Sequence, residues 1–132
     1  MKGTSSSTLT LDLATGTFTS AGSGQLSHLG RFTFTNAGTA TVPDPAGTFS
    51  ITSTSTFVAA NGDKVFTTDT GTGTLTATGS EGTLVSTITG GTGRFADASG
   101  TITIRFSFVN VSAVGTTVTV RGPLTLEGQI SY

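Results

Sequence analysis

Apolar and polar residues alternate with a period of two along nearly the whole chain, and no stretch shows the 3.6-residue period of an amphipathic helix. Leu9, Leu11 and Leu13 alternate with Thr8, Thr10 and Asp12, and Leu26, His28, Phe32 and Phe34 share even parity. Phe49, Ile51 and Phe57 keep odd parity through a Ser/Thr stretch. Leu84 and Ile88 share a parity, as do Ile102, Ile104, Phe106 and Phe108, and then Val118, Val120, Leu124, Leu126 and Ile130. Each run has one apolar face and one face of Thr and Ser, the pattern of antiparallel strands packed on one side only. Turn chemistry separates the runs. Asn61-Gly62 reads as a type I′ hairpin, because that turn needs φ > 0 at both central residues. Asn36-Ala37-Gly38 and Val114-Gly115 read as further turns, and Pro43-Asp44-Pro45 marks a longer loop. Seven or eight strands result, with no helix to cover a sheet. Their apolar faces are buried either in a sandwich or by closure into a barrel. Closure also removes the exposed edges that such uncharged strands would offer to aggregation. The expectation is one all-β domain over residues 1–132, a closed antiparallel β-barrel, with residues 1–7 as a disordered N-terminal tail.

Composition narrows the function classes. Thr, Ser and Gly make up about half of the 132 residues, and only 10% are charged. Disordered chains pair high net charge with few aromatic and β-branched residues, whereas this one has a net charge of −1 and nine Phe. Without a basic surplus, nucleic acid is not an expected partner. No apolar run reaches the roughly 18–20 residues of a membrane-spanning helix, so no membrane span is expected. There is no Cys, which excludes disulfides, a thiol nucleophile and Cys-ligated zinc. The N-terminus, Met1 to Ser7, has no apolar h-region and is not an intact signal peptide. If a leader has been removed, a secreted protein is favoured, extracellular or periplasmic.

One segment breaks the alternation: Ile88-Thr89-Gly90-Gly91-Thr92-Gly93-Arg94-Phe95-Ala96-Asp97-Ala98-Ser99-Gly100. Its first half is too rich in Gly for a strand, and Arg94 to Ala98 is long enough for one helical turn that plugs a barrel end with Phe95. This segment resembles the hallmark of the allene oxide cyclase and dirigent protein superfamily: a strand ending in Gly-Gly-x-Gly-x-Phe, a short turn with Ala and Gly, then a long strand. Ala60-Asn61-Gly62-Asp63, ahead of a strand with Gly71 and Gly73, is similar to the preceding Gly-Asp hairpin of that superfamily. The resemblance covers Ala59 to Ile104. It implies an eight-stranded antiparallel barrel, often a homo-trimer, with a ligand cavity inside. It does not bring catalysis with it. Plant allene oxide cyclases place a Glu and polar partners at the cavity on early strands, where this chain offers only Asp12 on the outward parity. The dirigent set of Asp, Arg and Tyr also has no counterpart, since Tyr132 is the only Tyr and the last residue. The chain looks more like a bacterial relative of these barrels than like either plant group.

The residues themselves give few chemical groups to work with. His28 is the only His and lies on the apolar parity, so the reading places it inside the barrel, as a polar ligand contact or as the candidate catalytic residue. The bland alternative is a core His satisfied by a backbone carbonyl. Zinc needs three or four ligands, which one His cannot supply, and no cofactor is implied. Phe32, Phe34, Phe49, Phe57, Phe106 and Phe108 are expected to share the interior. They are enough to fill it as a solid core, whereas Ser53, Ser55 and Ser86 on inward parities leave space for a small apolar ligand. Arg105, Arg121 and Glu127 face outward. Arg94 either binds an anion at the barrel end or packs its stem over Phe95. Asp63 and Lys64 flank a hairpin, and Asp69 stands too far from Asp63 for a calcium loop. The Thr-x-Thr pairs lack the flat, regular ranks of an ice-binding face, and Asn110-Val111-Ser112 is a glycosylation sequon inside a strand. Three functions remain: a small apolar ligand-binding barrel, a cyclase or isomerase that holds a hydrophobic substrate, and a solid-core structural or surface domain.

Overall fold

The computed structural model describes residues 1–41 and 43–132. Eight strands follow one another in chain order: β1 (Lys2–Asp12), β2 (Thr17–Leu26), β3 (Gly30–Ala40), β4 (Thr48–Val58), β5 (Lys64–Leu75), β6 (Gly79–Gly91), β7 (Ser99–Val114) and β8 (Thr117–Ser131). Each pairs antiparallel with its neighbours, and β1 pairs with β8 to close an up-and-down barrel. The closed antiparallel eight-stranded barrel is therefore the fold, and no sheet edge is left open.

Alternation sorts the residues as the period-two pattern requires. Ser, Thr and a few charged residues form the outer wall, with Arg105, Arg121 and Glu127 exposed there. This is the inverse of an outer-membrane barrel, whose apolar band faces out. Among the described residues no helix is long and apolar enough to cross a membrane.

Inside, large rings are matched with glycines. Phe18 pairs across the sheet with Gly38, Phe34 with Gly22, Phe32 with Gly24, Phe49 with Gly73, and Phe106 with Gly82. A Cβ on Gly22, Gly73 or Gly82 would run into the ring of Phe34, Phe49 or Phe106. Each ring thus lies over the bare backbone of the next strand, which lets many Phe fit within eight strands. Burying one such ring contributes about 1.5–3 kcal/mol.

Three local expectations change. Residues 2–7 are not a tail: they form the first half of β1, hydrogen-bonded to β2 and β8, with Ser5 and Ser7 buried. Their polarity hid them, because the inward positions there are Gly and Ser. Asn36-Ala37-Gly38 is not a turn but the middle of β3, where Gly38 leaves room for Ser53 and the ring of Phe18. The Asn61-Gly62 turn is longer than a two-residue hairpin. Ala59 N–H donates to the Asp63 carbonyl, Gly62 alone has positive φ (91°), and Asn61 Oδ1 accepts from the Asp63 N–H.

The Gly-rich segment forms the plug that its composition predicts. A bulge at Thr89, between the pairs Phe66–Gly90 and Thr67–Ile88, turns the end of β6 toward the barrel axis. A 3₁₀ turn over Gly93–Phe95 then drops Phe95 into the barrel end, fully buried. Arg94 acts as a clamp over it. Its guanidinium carbon lies 4.5 Å from the centre of the Phe95 ring, and its Nη2 donates to the His28 carbonyl at 2.8 Å. Arg94 Nε also sits 4.0 Å from Asp63 Oδ2. One side chain thereby joins the β2–β3 turn, the β4–β5 turn and the plug.

Candidate functional site: a one-ended cavity with a polar floor

The two halves of the barrel are packed differently. Toward the plug, Leu26, Leu29, Phe32, Val65 and Phe95 form a solid core. Toward the other end lies a cavity of about 540 Å³, within the range of small-molecule sites. It opens between the β1–β2, β3–β4, β5–β6 and β7–β8 connections, where Leu13, Pro43, Leu75 and Asn110 rim it. Its wall is mostly carbon, from Leu9, Leu11, Leu84, Ile104, Leu124 and Leu126, with Phe rings between them.

Between cavity and solid half runs a polar layer, the floor of the site. Its members are direct cross-strand neighbours: Ser20 with Asn36, Asn36 with Ser55, Ser53 with Asp69, and Asp69 with Ser86. At its centre Asp69 is 1% exposed. Ser53 Oγ, Ser55 Oγ and Asn36 Nδ2 donate to its Oδ2 at 2.9, 2.5 and 3.1 Å, and Thr67 Oγ1 donates to Oδ1 at 2.7 Å. Asn36 Oδ1 in turn accepts from Ser20 Oγ at 3.2 Å. Four neutral donors thus replace the water that a buried carboxylate loses. Asp69, Asn36, Ser55, Ser20 and Ser7 all border the cavity. Ser86 Oγ, fully buried across from Asp69, has no hydrogen-bond partner.

The expected site residues separate. Phe34, Phe49, Phe57, Phe106 and Phe108 line the cavity, and Phe18 joins them. Phe32 faces inward but packs against Phe34 and Phe57 at the closed end, with ring centres 6.3 and 5.6 Å away. His28 is not in the barrel. It sits exposed in the three-residue turn Ser27–Leu29, in the left-handed region at φ 75°, with Nδ1 3.3 Å from Tyr132 Oη. The parity argument failed because that turn interrupts what reads as one strand from Leu26 to Phe34. Asn tolerates positive φ well, so His28→Asn is expected to change stability by less than about 0.5 kcal/mol in urea titration and to leave ligand binding unaltered. Loss of binding in that variant would restore His28 to the site.

Asp69 is the interior ionisable group, and sequence reasoning missed it. The available signal was the set of inward Ser53, Ser55 and Ser86 on flanking strands, which as buried hydroxyls call for a shared polar partner. No protein-family model, curated protein or solved structure matches this chain, and the site is defined by its own geometry.

Proposed function

We propose that this barrel binds small, largely apolar molecules in the cavity between the mouth and the Asp69 layer. The observation that supports the reading is a carbon-walled space of about 540 Å³ closed at one end and open at the other. The likeness of Ile88–Gly100 to the allene oxide cyclase and dirigent superfamily points the same way, and it carries the further expectation of a trimer, which light scattering checks. A neutral fluorescent probe, N-phenyl-1-naphthylamine, is expected to bind with enhanced and blue-shifted emission. Leu9 lines the cavity and is only partly buried, so Leu9→Trp puts an indole into empty space. The variant is expected to keep its circular dichroism spectrum and to bind the probe at least about tenfold more weakly, because occupied volume removes the contacts a ligand would make. Unchanged binding would place the probe elsewhere and remove this reading.

A cyclase or isomerase is the second reading, favoured by a carboxylate at the floor of a water-poor space. Such an enzyme works largely by holding one substrate in a reactive conformation beside a single polar group. Turnover of polyene or epoxide substrates, lost in Asp69→Asn while the probe still binds, is its signature. Turnover that survives the substitution would take Asp69 out of the mechanism.

A further inference from the structure

From the polar floor we infer that the cavity selects ligands by their head group: an apolar molecule ending in a protonated amine, or less strongly in a hydroxyl, binds head-down against Asp69, while one ending in a carboxylate is rejected. The inference rests on the ligand-binding reading and deepens it. Three observations carry it. First, the floor holds a carboxylate with no cationic side chain beside it among the described residues; its four partners are all neutral. Two of the four donors would suffice to fill one oxygen, yet three converge on Oδ2 and only Thr67 reaches Oδ1. Oδ1 therefore keeps a free acceptor position.

Second, Asp69 itself borders the cavity, as do its partners Asn36 and Ser55 and the nearby Ser20 and Ser7. An ammonium or hydroxyl group at the cavity floor donates to the Asp69 carboxylate that forms part of its wall. A carboxylate placed there brings a second negative charge against Asp69 in a low-dielectric space, where repulsion is several times stronger than in water.

Third, carboxylates border the mouth, whereas the plugged end carries charges of both signs, Asp63, Asp97 and Glu127 among them. Asp12 ends β1 and Asp44 lies in the β3–β4 loop, both at the mouth, and Glu81 follows close to the start of β6. Lys2, Arg31, Lys64 and Arg94 all belong to the plugged end. A negative rim raises the local concentration of cations and repels anions on approach.

The test uses three ten-carbon probes with the same tail: decylamine, 1-decanol and decanoate, each titrated below its aggregation limit at neutral pH into the whole protein. Decylamine is expected to bind at least about 100-fold more tightly than decanoate, with 1-decanol between them. Asp69→Asn is expected to erase the gap between amine and carboxylate. Equal binding of all three probes overturns the head-group inference and leaves the ligand-binding reading standing. Binding of none overturns both. Retention of the amine preference in Asp69→Asn also overturns it, since the selectivity would then come from the rim alone.

Discussion

Replacing Asp69 by Leu is expected to lower the stability of the barrel by about 3–5 kcal/mol, measured by urea denaturation. Leu has the same branched skeleton as Asp and is the bulkier of the two, so the loss does not come from a cavity. It comes from the donors left behind. Ser53 Oγ, Ser55 Oγ and Thr67 Oγ1 all give their only hydrogen to Asp69, and each is buried. Each orphaned hydroxyl costs about 1–3 kcal/mol, and Asn36 turns its donor Nδ2, not its acceptor oxygen, toward Ser53 and Ser55. Opposing this, Leu removes the cost of holding a charge out of water, several kcal/mol for an isolated ion. The donors already offset most of that cost, so the orphan term wins. Asp69→Asn keeps one acceptor oxygen and is expected to lose less, about 1–2 kcal/mol. Stability of Asp69→Leu equal to or above that of the parent chain would reverse the conclusion. The carboxylate would then be a burden on the fold, kept for what it binds.

Whether Asp69 was findable from sequence depends on what its strand shows. The inward face of β5 reads Val65, Thr67, Asp69, Gly71 and Gly73, while the outward face bears Phe66. Hydropathy there points weakly the wrong way, because the inward positions are set by neighbours rather than by burial of carbon. Gly73 is small because Phe49 lies over it, and Thr67 and Asp69 are polar because Ser53 and Ser55 face them. The strands β3, β7 and β8 make their own inward faces apolar, and period two identified those directly. Ser53, Ser55 and Ser86 were correctly read as inward, but as space; two of them turn out to be donors to one carboxylate. His28 shows the complementary failure. Leu26 and Phe32 are an even number of residues apart, so parity survives the turn between them and assigns the residue at its tip to the same face. The plug was legible for a different reason: although Ile88 to Gly91 still belong to β6 rather than to a loop, the glycines from Gly90 to Gly93 end its side-chain alternation, and a buried Phe is what a short turn across a barrel end needs.

Phe95→Ala is the second large effect, expected to cost about 3–5 kcal/mol, as for other fully buried Phe truncations. Phe95 has no exposed surface, and its ring meets Tyr132 edge-on at 5.3 Å and lies beneath the Arg94 guanidinium. Gly91 packs so close that a Cβ there would meet the Phe95 carbonyl and Cβ, which leaves the plug little room to collapse into the space. The cost should therefore fall in the upper part of the range. Phe95→Leu, which retains most of the buried carbon, is expected to lose about half as much. The two variants also separate the plug from the ligand site. The polar floor and the solid core of Leu26, Leu29 and Phe32 lie between Phe95 and the cavity, so probe affinity per folded molecule is expected to change less than about threefold even where stability falls by several kcal/mol. A large drop in affinity under conditions where circular dichroism still shows a folded barrel would mean that the closed end breathes. Ligands would then have a second route out, and the one-mouth description of the site would fail with it.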